Sequence, residues 1–191
     1  MTQSDPADLA MHRYAEGDES AFTEVHRAVA DRLYAFLLRM SRSRATADDL
    51  LQETFLRMHR ARGSFEVGAR VLPWCYAIAR NVCIDHARSR AVRKESPNDP
   101  DDAPEPPSPD PDGEAVAIGK ELAARVERAL AKLPPNQREA FILIRYEGMS
   151  VHDAAMVLGA TEGAVKLRAF HAYEALRAAL GDQAPKKRGV S

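Results

Sequence analysis

The sequence is poor in the residues on which several common kinds of protein depend. It has only two cysteines, too few for a disulfide framework or a four-cysteine zinc site. No apolar run approaches the ~20 residues that a membrane-spanning helix needs. The N-terminus also lacks the basic start and apolar stretch of a secretory signal peptide. We therefore expect a soluble, cytoplasmic protein without membrane insertion.

Motifs that would support catalysis are missing as well. The six histidines are scattered, and there is no HExxH zinc motif, glycine-rich phosphate loop or nucleophile elbow. The two cysteines, Cys75 and Cys83, lie about 12 Å apart along one predicted helix, which is too far for a disulfide. We predict that both are small core residues. We also predict no catalytic residue, no metal site and no cofactor, so the protein is not expected to be an enzyme.

The formal net charge of −1 conceals strong segregation along the chain. Residues 12–94 carry a net charge of +5 and residues 115–191 carry +4, whereas residues 95–114 carry −8 and residues 1–11 carry −2. The near-zero total therefore does not argue against nucleic-acid binding, because two basic blocks flank one acidic block.

Composition divides the chain into five segments. Residues 95–114 hold seven prolines and eight acids, which predicts an extended linker with a reach of roughly 60 Å. The other segments are an N-terminal tail (residues 1–14), two helical domains (15–94 and 115–181) and a disordered tail (182–191). The predicted fold class is all-α, with two small helical domains joined by a flexible Pro/acid-rich linker.

Three helices are predicted in the first domain. Apolar residues recur at three- and four-residue steps over residues 19–41. A second helix starts at Thr46, with Asp49 completing a variant of the capping box. A third runs from Pro73 to about Arg93, with the proline in its first turn. No segment shows the alternation that is typical of a strand.

The second domain shows a helix-turn-helix pattern. Helices are predicted over residues 115–132 and 136–146. A short helix over residues 151–158 is followed by a turn at Gly159 and a longer helix capped by Thr161. A plain helical hairpin is the alternative on this pattern alone.

In a helix-turn-helix, the second helix presents its exposed face to base edges in the major groove. That predicted face consists of Glu162, Gly163, Lys166, Leu167, Phe170 and His171. A solvated surface with a few charges is the competing interpretation. The net charge of +4 on residues 115–191 favours DNA binding.

Two helices of the first domain also carry functional candidates. The helix that begins at Pro73 combines Trp74 and Asn81 with a basic C-terminal half, which suits phosphates and unstacked bases. A core role is the simpler alternative for Trp74. The helix that starts at Thr46 is apolar on more than one side, which favours binding of a partner helix. Its acidic start and basic end are explained by dipole matching alone.

Four motifs, in this order and spacing, resemble those of bacterial extracytoplasmic-function (ECF) sigma factors. They are residues 47–57 (ADDLLQETFLR), residues 74–81 (WCYAIARN) followed by Asp85, residues 133–138 (LPPNQR), and residues 161–166 (TEGAVK) preceded by Gly159. The resemblance covers about residues 15–94 and 116–180.

The resemblance implies a dissociable subunit of bacterial RNA polymerase that needs no cofactor. The first domain would bind the clamp helices of the largest polymerase subunit, melt the −10 promoter element and capture a flipped base. The second domain would read the −35 element as duplex and dock on the flap of the β subunit, while the linker runs through the polymerase cleft. An anti-sigma factor is a further partner that the resemblance implies.

The resemblance also assigns site residues. For binding of the polymerase core it implies Asp48, Asp49, Leu50, Gln52, Glu53 and Phe55. For the −10 element it implies Phe65, Trp74, Arg80, Asn81, Arg88 and Arg93. For the −35 element it implies Thr161, Glu162, Gly163, Lys166, Leu167, Phe170 and His171.

Two positions of the −35 helix depart from the family, which often has a hydroxyl residue at 167 and arginine at 171. Leu167 and His171 stand there, so two polar base contacts would be weakened, or replaced by apolar contact with thymine methyl groups, and the −35 sequence that is read stays open. An autonomous helix-turn-helix regulator, with a helical dimerisation or sensing domain, is the main alternative function. A helical adaptor that binds only protein leaves both basic blocks unexplained.

The acidic linker yields a first prediction. If residues 95–114 compete with DNA for the basic faces of the free chain, deleting them will raise non-specific DNA binding. The measurement is titration of a random duplex at low salt, where exposed charges are least screened. Equal affinity of the deleted and full-length chains would contradict this role of the linker.

Overall fold

The structure is a computed structural model that describes residues 5–94 and 114–181; side chains are described for residues 5–92 and 121–181. The chain divides into two compact units, Met1–Glu105 and Pro106–Ser191. The predicted disordered tail, and all of the predicted linker except its last residue, lie outside the described residues. The described residues form helices and turns, as the all-α prediction requires.

The first unit consists of four helices in the described part. They are α1 (Pro6–Ala15), α2 (Phe22–Ser41), α3 (Arg44–Ala61) and α4 (Val71–Lys94). Short 3₁₀ turns, Glu19–Ala21 and Arg62–Ser64, precede α2 and follow α3. The helices predicted from apolar periodicity are therefore present, with ends that shift by a few residues.

The core of this unit lies where α2 packs against α1, α3 and α4. One stripe of α2 is completely buried, at the helical spacing that the sequence predicts: Val25, Val29, Leu33 and Leu37. Phe36 packs edge-on against Tyr76 of α4, with ring centroids 5.2 Å apart. Tyr76 is therefore a core residue, and so is Cys75, whose thiol pKa is raised by burial.

The assignment of residues 1–14 to a tail is wrong for the part that the structure describes. Helix α1 begins with Asp5 as its N-cap, whose carboxylate accepts a hydrogen bond from the Ala7 amide at 2.9 Å. Met11 and Tyr14 are buried against the rest of the unit. The amphipathic pattern is short, and periodicity over ten residues is a weak signal unless the Asp-Pro start is recognised.

The start of α3 also differs from the prediction. Ser43 is the N-cap, and its hydroxyl oxygen accepts a hydrogen bond from the Thr46 amide at 3.3 Å. Thr46 therefore lies in the first turn rather than at the cap. Both residues have hydroxyl side chains that can cap a helix. Arg42 ends α2 in the αL conformation, so Ser43, the next residue, is free of α2 and can cap α3.

An ion-pair network joins α3 to α4. The Arg57 guanidinium donates to Glu53 at 2.7 Å within α3 and to Asp85 of α4 at 2.6 Å. Hydrogen bonds to Asp85 and then to Glu53 raise the pKa of Arg57. The pairs are partly exposed, so they orient the two helices more than they stabilise the fold.

The second unit contains α5 (Glu114–Ala131), α6 (Pro135–Phe141), α7 (Val151–Leu158) and α8 (Glu162–Leu180). A π-helical turn, Ile142–Tyr146, extends α6, so the helix predicted over residues 136–146 is present with a changed geometry in its second half. A shared core joins α5, α6 and α8 through Leu130, Leu133, Phe141, Ala172, Leu176 and Leu180.

The α7–α8 pair has the predicted helix-turn-helix construction. Gly159 ends α7 in the left-handed conformation (φ +57°), where a side chain would be strained. Ser150 caps α7, and Thr161 caps α8 through a hydrogen bond from the Ala164 amide to its hydroxyl oxygen at 3.2 Å. Ala154 is fully buried, which allows a close crossing of the two helices.

Within residues 5–94 and 114–181, no helix combines the length and the apolar character that crossing a bilayer would require.

The buried face of α1 leads to a stability prediction. Met11 is 0% exposed, so M11A should lower the free energy of unfolding of the first unit by about 2–4 kcal/mol through lost burial and a cavity. The matched control is L9A on the same helix, where the side chain is 53% exposed and a change under about 0.5 kcal/mol is expected. Calorimetric unfolding of both variants gives the comparison. Equal effects would mean that α1 does not pack as described.

Candidate functional site

Helix α3 has one face in the core of its unit and another in solvent. The buried stripe is Ala47, Leu50, Thr54 and Met58. Asp48, Asp49 and Gln52 are exposed, and Leu56, one turn beyond Gln52, is 43% exposed. The free face therefore offers two carboxylates, an amide and an apolar side chain, which is suitable for a partner helix with matching cations and an apolar stripe.

Three of the residues assigned to polymerase binding are engaged in contacts within the unit. Leu50 is only 5% exposed and serves the unit's own core, so its assignment as a contact residue is corrected. Phe55 is half-buried and stacks on His26 of α2 at a centroid distance of 4.5 Å. Glu53 is held by Arg57. The spacing of an amphipathic helix identifies two faces, but only packing decides which one is covered.

Helix α4 presents a line of DNA-binding candidates. Trp74, Asn81 and Arg88 are seven residues apart, so they share one face with a drift of only ~20° per step. Trp74 is half-buried, while Asn81 and Arg88 are exposed. Arg80 is half-buried beside them, and the side chain of Arg93 lies outside the described residues. The line is therefore polar and basic along its exposed length.

Phe65 lies at the start of the loop that leads into α4, and its ring is buried rather than presented to solvent. It is 6% exposed, with ring centroids 5.2 Å from His12 and 5.4 Å from Trp74 in edge-to-face geometry. The assignment of Phe65 as a base-contacting residue is therefore corrected to an anchor of the loop. The apolar side chain of Val67, two residues further along the loop, is 91% exposed.

Two further residues hold this loop, and neither is among the site residues predicted from the sequence. His12 accepts a hydrogen bond from the Gly68 amide at its Nε2 atom, at 3.0 Å, and Asp8 accepts one from the Val71 amide at 2.7 Å. Both belong to α1, which the sequence analysis placed in a tail. The Asp-Pro helix start at residues 5–6 is the signal that would have included them.

The outer face of α8 agrees with the expectation for a DNA-reading helix. All seven residues assigned to the −35 element are exposed: Thr161, Glu162, Gly163, Lys166, Leu167, Phe170 and His171. Leu167 is 56% and Phe170 47% exposed, so two large apolar side chains lie close together on this face. The opposite face, with Val165 and Ala172, is fully buried.

Local contacts set the start of this face. The Thr161 hydroxyl is engaged as the N-cap of α8, so it fixes the helix rather than extending toward a ligand. Glu162 lies 3.2 Å from Nδ1 of His152, at the start of α7. This exposed contact links the first turns of the two helices. Lys166 is then the first exposed cation on the outer face of α8.

Comparison with known proteins finds one family region in each of the two units. Residues 25–93 match Sigma-70 region 2, and residues 123–176 match Sigma-70 region 4. The RNA polymerase sigma factor CarQ of Myxococcus xanthus is 37% identical over 172 residues, which cover 90% of this chain and 96% of that protein. The ECF RNA polymerase sigma factor SigM of Mycobacterium tuberculosis is 35% identical over 179 residues, covering 94% and 86%.

Solved structures resemble this chain over most of its length. The sigma factor RpoE of Bartonella quintana, solved in complex with the anti-sigma factor NepR, gives a TM-score of 0.70 at 27% identity and covers 85% of this chain and 98% of that one. CnrH, solved in complex with the cytosolic domain of CnrY, also gives 0.70, at 26% identity, and covers 94% and 99%.

The chain therefore belongs to the sigma-70 family, and within it to the ECF RNA polymerase sigma factors. Membership makes it a DNA-binding factor that binds RNA polymerase and directs promoter-specific initiation of transcription.

Proposed function

We propose that this sigma factor reads the −35 element as duplex through α8 and melts the −10 element through the loop before α4 and the exposed line of α4. The observation that carries the proposal is the outer face of α8. One exposed surface holds every predicted −35 residue, and it belongs to the second helix of a helix-turn-helix.

The chemistry of that face favours a particular kind of base contact. Lys166 can donate to guanine or to a phosphate, and His171 can donate or accept at a base edge. Leu167 and Phe170 can do neither. They match the 5-methyl group of thymine, which is the apolar feature of the major groove. We therefore propose that thymines face these two side chains in the −35 element.

The −10 site combines different features. A melted strand offers bases that are no longer stacked, together with its phosphates. Trp74 supplies a half-exposed aromatic ring, Asn81 an amide that can pair with adenine, and Arg88 a cation for the backbone. Together with the adjacent loop, these groups suit capture of one strand better than reading of an intact duplex.

Binding of the polymerase core is proposed for the open face of α3, with Asp48, Asp49 and Gln52 at its centre. The clamp helices of the largest subunit would lie against this face, and the second unit would dock on the β flap. An anti-sigma factor is proposed as a further partner, because the similar sigma factor RpoE was solved in complex with one.

The first prediction from this proposed function concerns the α3 face. The double variant D49A/Q52A should raise the Kd for core polymerase roughly tenfold, because it removes two polar contacts at the centre of the interface. Both side chains are exposed, so the unfolding temperature should not change. D31A, an exposed acid of α2, is the matched control. Unchanged core affinity of the double variant would place the interface on another surface.

The second prediction concerns −35 preference. K166A and H171A should each alter transcription from a randomised −35 hexamer, by about 1–3 kcal/mol per lost base contact. R177A is the control, since it removes an exposed cation near the C-terminal end of the same helix. An unchanged hexamer preference in K166A and H171A would remove both residues from the site.

A third prediction separates methyl contacts from polar ones. Replacing a preferred −35 thymine by deoxyuridine removes only the 5-methyl group. It should lower transcription from that promoter by the wild-type protein, because the apolar contact is lost. In L167A the same replacement should have a smaller effect if Leu167 contacts that methyl group. Equal sensitivity of wild type and L167A at every thymine would contradict the proposed contact.

A further inference from the structure

The loop between α3 and α4 has a fixed base and an exposed apex. The Ala69 amide bonds to the Glu66 carbonyl at 3.1 Å and closes a turn, with Val67 and Gly68 at its apex. Gly68 has φ +82°, a conformation that favours glycine. Val67 is almost fully exposed, whereas Phe65 is buried. An exposed apex on an anchored base is the geometry of a loop that contacts a ligand.

Helix α1 holds this loop at two backbone positions and one ring. His12 accepts from the Gly68 amide at 3.0 Å and packs against the Phe65 ring, while Asp8 accepts from the Val71 amide at 2.7 Å. Val71 is the first residue of α4, whose amide has no partner within the helix. Asp8 thus acts as an N-cap supplied by a different helix.

Helix α1 can hold the loop because it is itself fixed to the core. Met11 and Tyr14 are buried, and the Tyr14 hydroxyl is 2.5 Å from Nδ1 of His59 in α3. The guanidinium of Arg62 lies over the Tyr14 ring at 5.6 Å. The two faces of α1 therefore connect the α2–α3 core on one side with the loop on the other.

We propose that Asp8 and His12 are positioning residues for the −10 element: they hold the loop in the shape that receives the unpaired base. This rests on the proposed function of the loop. Neither residue needs to touch DNA. Their contribution is to order the amides of Gly68 and Val71 before DNA arrives, so that binding does not have to order the loop as well.

The geometry predicts which substitutions matter. H12A and D8A remove the hydrogen-bond acceptors. D8N and H12Q keep a carbonyl oxygen that can accept from the same amides. R13A is the matched control, because Arg13 lies on the same helix but pairs with Glu24 of α2 rather than with the loop.

The experiment uses the full chain with core polymerase on promoters that carry each of the four bases at each −10 position. We expect H12A and D8A to lose discrimination roughly three- to tenfold at the captured base, with the −35 preference unchanged. D8N and H12Q should retain most of the discrimination, and R13A should behave as wild type. Templates with a pre-melted −10 region should show the same loss, because the defect lies in capture rather than in strand separation.

A second measurement follows the loop directly. Amide hydrogen exchange at Gly68 and Val71 should be faster in H12A and D8A than in the wild type, with protection in α2 unchanged. This readout reports the loop even where a variant transcribes weakly. Exchange at both amides that equals the wild type would overturn the proposal.

The remaining outcomes are equally decisive. Wild-type discrimination in H12A and D8A would overturn the inference alone, because base preference at the −10 element would then persist without the two hydrogen-bond acceptors. An equal loss in R13A, or in D8N and H12Q, would mean that the hydrogen bonds to the loop are not the cause. If the wild type itself shows no base preference in the −10 region, the proposed function of the loop is wrong.

Discussion

The structure depends on the burial of one apolar stripe of each helix, because this decides what the opposite stripe can offer to partners. In α3 the covered stripe includes Leu50 and Met58, which leaves Asp49 and Gln52 outward. In α8, burial of Val165, Ala172 and Leu176 turns the face proposed to read DNA to solvent. Each buried aliphatic side chain contributes about 1.5–3 kcal/mol, so the orientation of the functional face is fixed by the folding energy itself.

In the proposed function, the two units present their exposed faces to different forms of promoter DNA. The second unit presents a rigid helix whose cap and left-handed turn set its direction, as reading of an intact duplex requires. The first unit presents a loop and a row of exposed residues on α4. This suits single-stranded DNA, because unstacked bases bind to an uneven surface that can surround them. These local geometries support the proposed division of the chain into one unit that reads duplex and one that captures a single strand.

Much of this arrangement could be predicted from the sequence. Periodicity and breakers located the helices after residue 15, and the exposed face of α8 was predicted residue by residue. The errors arose where tertiary contacts decide. Leu50 and Phe65 carry apolar side chains in functional motifs, yet packing draws both inward. The role of α1 was missed because its contacts to Gly68 and Val71 span more than fifty residues, which no local pattern reports.

The most direct test is whether this chain selects promoters only together with core polymerase. The assay is transcription from a library of fully randomised upstream sequences, with core polymerase alone, this chain alone, and both together. Sequencing of the transcript 5′ ends and their templates identifies the elements used. Our account predicts transcripts only with both components, from templates that share two motifs at a fixed spacing. Specific selection of duplex DNA by the isolated chain, without chain-dependent transcripts from core polymerase, would contradict it.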